Sequence, residues 1–198
     1  MDILNKDKLK QVLEKWKGHP SITDLFDRFD KLQTYTKKKF NKKPKYQLVE
    51  LFNINCSEDP VRPELDNVFR RSYGRKIYGV RYMGKIHAVM CFAYTNQIPK
   101  NVIELDKFSH DAYLKSAQRD QNIGQIAIAY TVWSKRKGGG KLIVKEVFKK
   151  IKKSNHLNRL VTLSPLTEMA TKFHSKNGAK LLRINETTQN FEYQIDKK

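Results

Sequence analysis

Three consecutive glycines, Gly138, Gly139 and Gly140, stand between a basic run and an amphipathic pattern in the stretch "SKRKGGGKLIVKEVFKKIKK" (134–153). Residues without side chains let backbone N–H groups approach a diphosphate, and the start of a helix adds partial positive charge. Four cations can add charge around such a turn: Lys135, Arg136, Lys137 and Lys141. We therefore expect Gly138 to Lys141 to hold a diphosphate, and the alternative is a flexible turn.

Two familiar phosphate-binding loops do not fit this stretch. The P-loop requires Ser or Thr after its Gly-Lys pair, and Leu142 occupies that position. The dinucleotide fingerprint requires a third glycine three residues after Gly140, where Ile143 stands. The remaining pattern is Lys135-x-x-Gly138-x-Gly140 at a junction between a strand and a helix.

A second group of reactive side chains lies near the C-terminus, in "TLSP" (162–165) and "FHSKNGAKLLRIN" (173–185). The segment 165–178 predicts a helix with Pro165 in its first turn and a stop at Asn177-Gly178. Its apolar stripe is Leu166, Met169, Ala170 and Phe173, and we interpret Ser164 as the N-cap. His174 lies at the edge of this stripe, because neighbours on a helix are about 100° apart. His174 can therefore face a cleft beside a sheet, although a structural or surface histidine is the simpler interpretation of the pattern alone.

These two groups of motifs resemble known families. The glycine pattern resembles the loop that binds acyl-coenzyme A pyrophosphate in the GCN5-related acetyltransferase (GNAT) superfamily, with Lys135 in place of the usual Arg or Gln. The motifs "TLSP", "FHSKNGAKLLRIN" and "NFEY" (190–193) resemble the GNAT-like catalytic half of malonyl-CoA decarboxylase, over about residues 75–195. That family has a long helical insertion between its two C-terminal motifs, whereas this chain has one short helix, which predicts a more open cleft.

The resemblance implies a coenzyme A thioester as substrate and roles for two residues. Carried over by motif position, Thr162 and His174 would carry the decarboxylation of malonyl-CoA. Loss of carbon dioxide leaves an enolate that needs a hydrogen-bond donor, and the carbanion carbon then needs a proton that a histidine can supply. In ordinary GNAT acetyltransferases a tyrosine on the same helix often protonates the leaving thiolate, and His174 suits that role as well. Acyl transfer to an amine therefore stays an alternative to decarboxylation.

The elements that would position these residues follow in the order strand, helix, two strands, strand, helix, strand, helix and two strands. This order predicts an α/β domain of the GNAT type with a central mixed sheet flanked by helices, over residues 46–198. Residues 1–45 predict a helical hairpin and a basic connector. Within that hairpin Trp16, Phe26 and Phe29 pack on their own domain or form a homodimer contact.

The composition leaves a further function open. The 198 residues carry 40 Lys+Arg against 20 Asp+Glu, a formal net charge of +20. Such a surface attracts polyanions, and "TYTKKKF" and "FRRSYGRKIY" combine cations with aromatic rings, so a non-catalytic nucleic-acid-binding module is a competing hypothesis. A charged N-terminus and the absence of a long apolar run predict a cytoplasmic protein with no membrane segment. Cys56 and Cys91 are expected to be reduced, and no metal-ligand spacing links the histidines, so no metal is expected.

Overall fold

The structure, a computed structural model, describes residues 45–119 and 124–195, together with Gln11. Its strands are β1 (Gln47–Leu51), β2 (Lys76–Tyr82), β3 (Lys85–Thr95), β4 (Ile126–Ser134), β5 (Arg159–Thr162), β6 (Ser164–Pro165), β7 (Lys180–Ile184) and β8 (Thr188–Tyr193). Its α-helices are α1 (Asn67–Arg71), α2 (Val102–Arg119), α3 (Gly139–Lys152) and α4 (Glu168–Lys176). The predicted hairpin and its aromatic residues lie outside the described residues, so that part stays a prediction.

The eight strands form one mixed sheet in the order β1-β2-β3-β4-β5-β8-β6, with β7 paired to β8. The pair β4–β5 is parallel and the other strand pairs are antiparallel. A parallel pair needs a crossover connection, and α3 provides it between β4 and β5. The predicted α/β fold with a mixed sheet is therefore confirmed.

Two apolar cores cover the two faces of this sheet. On one face α3 packs through Ile143, Val147 and Ile151 against β2, β3 and β4. On the other face Leu105 of α2 joins Cys91, Tyr130 and Leu163 in a second core. Cys91 is fully buried and, like Cys56, forms no disulfide.

Several boundaries agree with the sequence pattern for local reasons. The turn Met83-Gly84 joins β2 and β3 with positive φ angles of 47° and 79°, as a tight hairpin requires. Helix α4 ends at Lys176, Asn177 is its C-cap, and Gly178 follows with a φ of 86°. The left-handed conformation at Gly178 lets the chain reverse into β7, because glycine adopts it without steric cost.

One helix was missed, and the predicted start of another is wrong. The sequence pattern did not predict helix α2, although Asn101 caps it by accepting a hydrogen bond from the Glu104 N–H at 2.9 Å. Ser164 is not the N-cap of α4, and Pro165 is not in its first turn, because both residues belong to β6. Thr167 caps α4 instead, and its hydroxyl accepts from the Ala170 N–H at 3.3 Å.

Two of the four cations in the basic segment 69–78 are engaged within the protein. The side chains of Arg70 and Arg75 are buried and ion-paired, Arg70 with Asp59 at 2.9 Å and Arg75 with Asp106. These two guanidinium groups are therefore not available to a nucleic-acid backbone. The other basic segment, "TYTKKKF", lies outside the described residues. Within the part of the chain that the structure describes, no helix is long and apolar enough to cross a membrane.

Candidate active site

The candidate site lies where two neighbouring parallel strands separate. Strands β4 and β5 pair from Ile126 to Ala129, and their last contact is the Leu163 N–H donating to the Ala129 carbonyl at 2.9 Å. Tyr130 is then an extra residue in β4, because Cys91 and Phe92 on β3 pair with Thr131 and Ala129. Such a bulge bends the strand and increases its twist. Beyond it the two strands diverge, and the gap is available for a ligand.

A cleft of about 320 Å³ occupies this gap. Its walls are mostly apolar, and they include Met90, Ala129, Val144, Val147, Leu160, Met169 and Phe173. The predicted residues Gly140, Thr162 and His174 all line this one cleft. The glycine turn and the histidine are therefore joined by continuous space.

Four polar side chains form a hydrogen-bonded chain in the wall of the cleft. The Ser164 Oγ lies 2.7 Å from the His174 Nε2 and 3.0 Å from the Thr162 Oγ1. On the other side of the ring, the His174 Nδ1 lies 3.0 Å from the Tyr193 hydroxyl. Each hydroxyl has one proton, so Ser164 either donates to the imidazole or accepts from it. The two arrangements differ in the tautomer of His174, so either ring nitrogen can carry the proton.

His174 is almost fully buried, with 5% of its surface exposed. Its ring stacks on Phe191, with centroids 5.1 Å apart and planes at 28°, and the edge of Phe173 lies against it. Burial lowers the pKa of His174 from 6.5 to about 4, because the charged imidazolium loses its hydration. Burial also raises the pKa of Tyr193. The whole chain of groups is therefore neutral near pH 7.

Thr162 has a structural task in addition to lining the cleft. Its Oγ1 accepts a hydrogen bond from the Phe191 N–H at 3.1 Å, and its carbonyl accepts from the Asn190 Nδ2 at 2.8 Å. Both bonds tie the end of β5 to β8, where the ladder between these strands stops. Thr162 thus fixes β8, and with it Phe191 and Tyr193, against the imidazole.

The glycine turn begins helix α3 at the mouth of the cleft. Gly138 is the N-cap with a φ of 81°, and α3 starts at Gly139. A Cβ at Gly139 would lie 2.6 Å from the His87 carbonyl oxygen, and a Cβ at Gly140 would lie 3.0 Å from the Phe173 ring. Glycine is therefore required at position 139 for close packing against β3, whereas a side chain at position 140 would press on the Phe173 ring of α4.

The amides of this turn are only partly available. The Gly139 N–H donates to the Arg136 carbonyl at 3.0 Å. Within the described residues, the N–H groups of Gly138, Gly140 and Lys141 have no such partner, as is usual in the first turn of a helix. Unpartnered N–H groups and the helix dipole together favour an anion there.

The cations predicted around the turn differ in their surroundings. Lys135 forms an ion pair with Glu58, which also lines the cleft. Arg136, Lys137 and Lys141 are exposed, and no ion pair of the described residues engages them. These three side chains are free to approach a phosphate, whereas Lys135 would first have to leave its carboxylate.

Arg183 and Asn185, at the end of the motif "FHSKNGAKLLRIN", are not among the residues that line the cleft. Arg183 donates to the Ile98 carbonyl at 3.1 Å and to the Asn190 Oδ1 at 3.2 Å. Asn185 donates to the same amide oxygen of Asn190 at 3.0 Å. This part of the motif therefore anchors the loop after β3 to the terminal hairpin.

Sequence reasoning missed two members of the hydrogen-bonded chain. Ser164 was interpreted as a helix cap, although its position two residues after Thr162 in extended chain puts both side chains on one face. Tyr193 stood inside the quoted motif "NFEY" without a role. Its contact with His174 joins residues 19 apart, which no local spacing indicates.

Comparison with solved structures identifies the fold as that of GNAT proteins. A malonyl-CoA decarboxylase from Cupriavidus metallidurans superposes with a TM-score of 0.54 at 13% identity, over 78% of this chain and 62% of that chain. The loading GNATL domain of CurA from Lyngbya majuscula superposes with a TM-score of 0.54 at 12% identity, over 76% of this chain and 98% of that one. The chain thus spans less than two thirds of the decarboxylase structure. No protein-family profile and no curated protein matches the sequence.

Proposed function

We propose that the protein is an enzyme that acts on a coenzyme A thioester, and that it decarboxylates a malonyl thioester to the acetyl thioester and carbon dioxide. The observation that carries the proposal is the neutral chain Tyr193–His174–Ser164–Thr162 in the wall of an apolar cleft that reaches the glycine turn at Gly140. Diphosphate at the N-terminus of α3 would direct the pantetheine arm into the gap between β4 and β5.

The reaction breaks the bond between the carboxylate carbon and the adjacent methylene carbon. The bonding electrons become a thioester enolate, carbon dioxide leaves, and the methylene carbon takes one proton. The hydroxyl of Ser164 and the N–H of His174 are neutral donors that can hydrogen-bond the enolate oxygen. The ring proton that His174 takes up from solvent when the carboxylate binds can pass to the carbon, which leaves the ring neutral again.

The apolar walls favour the loss of carbon dioxide from a bound malonyl thioester. A carboxylate in the cleft loses hydration, whereas the carbon dioxide formed from it is neutral and loses nothing comparable. His174, with its pKa lowered to about 4 by burial, is neutral before substrate binds. A bound carboxylate would raise that pKa, because a nearby negative charge favours the protonated ring. Substrate binding would then prepare the proton donor.

Acyl transfer to an amine is the second candidate, and Glu58 is the observation that favours it. Glu58 lines the cleft, and a carboxylate there can accept the proton that an attacking amine must lose. Its pairing with Lys135 argues against a free base, and His174 with so low a pKa is a poor base for an amine.

Analysis of the reaction products distinguishes decarboxylation from acyl transfer. The purified 198-residue chain would be incubated with malonyl-CoA or acetyl-CoA, with and without a panel of amines, and the thioesters would be followed by mass spectrometry. Decarboxylation predicts acetyl-CoA from malonyl-CoA in the absence of any amine. Release of free coenzyme A only when an amine is present would replace our proposal with acyl transfer.

A further inference from the structure

A short segment closes the gap between β4 and β5 on the face of the sheet opposite α3. We call residues 59–62 the strap. Pro60 and Val61 of the strap line the cleft, while Gly140 and Phe173 line it from the side of α3 and α4. Leu65, just after the strap, belongs to the second core, on the face of α1 and α2. The strap is therefore the wall of the cleft on that face.

Arg62 fastens the strap to both separated strands. Its Nε donates to the Tyr130 carbonyl of β4 at 2.9 Å, and its Nη2 donates to the Leu163 carbonyl after β5 at 3.1 Å. These two carbonyls lie directly where the strands diverge. The guanidinium thus spans the gap that the bulge at Tyr130 opens, and its planar fork suits two acceptors at once.

Asp59 holds the other end of the strap. Its carboxylate accepts from the Thr131 hydroxyl at 2.8 Å and from the Arg70 guanidinium at 2.9 Å. The same carboxylate accepts from the backbone N–H groups of Val61 and Arg62 at 2.9 and 3.2 Å. Asp59 is 1% exposed and Arg62 8% exposed. Displacing the strap would break these buried hydrogen bonds, so the strap is a fixed part of the fold.

A gap between two strands of a sheet connects its two faces. A thioester that enters beside α3 would present its carbonyl to this gap, and a second substrate would reach that carbonyl most directly through the opposite face. The strap fills that route. We propose that the strap determines reaction specificity, with Arg62 as its positioning residue, by excluding acceptor nucleophiles so that the bound thioester can only lose carbon dioxide. This inference rests on the proposed function.

Hydroxylamine is a small nucleophile that tests the inference directly. In an opened site it would attack the thioester carbonyl of acetyl-CoA. A carbon–nitrogen bond forms, the carbon–sulfur bond breaks, and coenzyme A leaves as the thiol with a proton from the attacking amine. Acetyl hydroxamate and free coenzyme A are formed in equal amounts, and both are measured by mass spectrometry against a reaction without enzyme.

Three variants of the full chain would be compared with the wild type. Arg62→Met removes the two hydrogen bonds from Arg62 to the strands. Val61→Gly removes a side chain that lines the cleft and leaves the Arg62 hydrogen bonds in place. Arg71→Met is the matched control, because Arg71 is exposed on α1 and lies over the Phe52 ring. We expect no hydroxamate above background for wild type and the control, and at least a tenfold rise for Val61→Gly and for Arg62→Met. Thermal unfolding measurements establish which variants fold. If Arg62→Met does not fold, the Val61→Gly variant tests the role of the strap.

Calorimetric titration with coenzyme A separates the two ways in which this account can fail. If coenzyme A binds the wild type and Val61→Gly equally and the wild type forms acetyl-CoA from malonyl-CoA, but hydroxamate formation does not rise, the role of the strap is wrong while the proposed function stands. Hydroxamate formation by the wild type would also contradict the proposed role of the strap. If coenzyme A does not bind the wild type, the proposed function fails and the inference fails with it.

Discussion

The Ser164 hydroxyl lies 2.7 Å from the His174 Nε2, although the serine belongs to a two-residue strand and the histidine to the helix that follows it. The contact exists because β6 pairs with β8, which keeps Ser164 extended, while Thr167 rather than Ser164 caps α4. The serine side chain is therefore free to bond the ring and Thr162 instead of the helix backbone. The pair Ser164–His174 is the centre of the candidate site.

Removing the hydroxyl of Ser164 should slow the reaction more than it affects folding. In Ser164→Ala the imidazole loses its link to Thr162 and the enolate loses a donor, so kcat should fall by about 10²-fold. Coenzyme A affinity should stay within a few-fold, because the glycine turn is untouched. Steady-state kinetics with malonyl-CoA measures both quantities. A variant with unchanged kcat would show that Ser164 is only a structural partner of the histidine.

Thr162 allows a test that separates its structural task from its contribution to the cleft. Thr162→Val leaves the buried Phe191 N–H without an acceptor, which should lower the free energy of unfolding by about 1–3 kcal/mol. Thr162→Ser keeps an oxygen in place and should retain most of the stability. Urea unfolding of both variants provides the comparison. Equal stability of the two would mean that the bond to Phe191 contributes nothing measurable.

Alanine substitutions in the glycine turn should have different consequences at adjacent positions. Gly139→Ala brings a Cβ within 2.6 Å of the His87 carbonyl, a backbone atom that cannot move alone, so we expect a destabilisation of about 1–3 kcal/mol. Gly138→Ala has open space but a φ of 81°, which costs about 1–2 kcal/mol. Gly140→Ala presses on the Phe173 ring inside the cleft and should mainly raise KM for the thioester.

Melting temperatures and KM values for the three alanine variants check this order. The account is contradicted if Gly140→Ala binds coenzyme A as the wild type does, since its new methyl group would then not reach the path of the ligand. Lys137→Ala is a useful comparison, because it removes one exposed charge without changing the backbone.

The lowered pKa of His174 predicts an acid-sensitive fold. The unfolded chain binds a proton at this residue below pH 6.5, whereas the folded chain resists it until about pH 4. Stability is therefore fully present above pH 6.5 and is lost as the pH falls toward 4, by about 3 kcal/mol at the limit. His174→Gln should make the stability profile shallower in that window. The free energy of unfolding in urea, measured from pH 4.5 to 7.5, tests this prediction. His110→Ala on α2 is the control.

The sequence predicted the sheet, the glycine turn and the helix of His174, because each depends on local periodicity or on turn residues. It missed α2, whose buried positions include Leu105, Ser109, Ala112 and Ser116. Two of these four are serines, so the apolar stripe is too weak to stand out. Ser109 is buried because its hydroxyl accepts from Arg75 at 2.7 Å, a contact across 34 residues.

The candidate site shows the same limit. His174 and Thr162 were found through motifs, but the strap was not, because Arg62 reaches carbonyls 68 and 101 residues away. Its sequence surroundings, "EDPVRPELD", look like an ordinary polar loop. Burial of Arg70 and Arg75 was likewise invisible, since their acidic partners are distant in sequence. Pairing between distant segments, rather than local pattern, decides these features.

The central claim is that the imidazole of His174 and the hydroxyl of Ser164 act on a coenzyme A thioester held in the cleft. It is tested most directly by measuring acetyl-CoA formed from malonyl-CoA without any acceptor, for the wild type and for His174→Gln at matched occupancy by calorimetry. We predict acetyl-CoA equal to the carbon dioxide released by the wild type, and a rate at least about 10²-fold lower for the variant. Equal rates for the two proteins, or no acetyl-CoA from a wild type that binds malonyl-CoA, would contradict it.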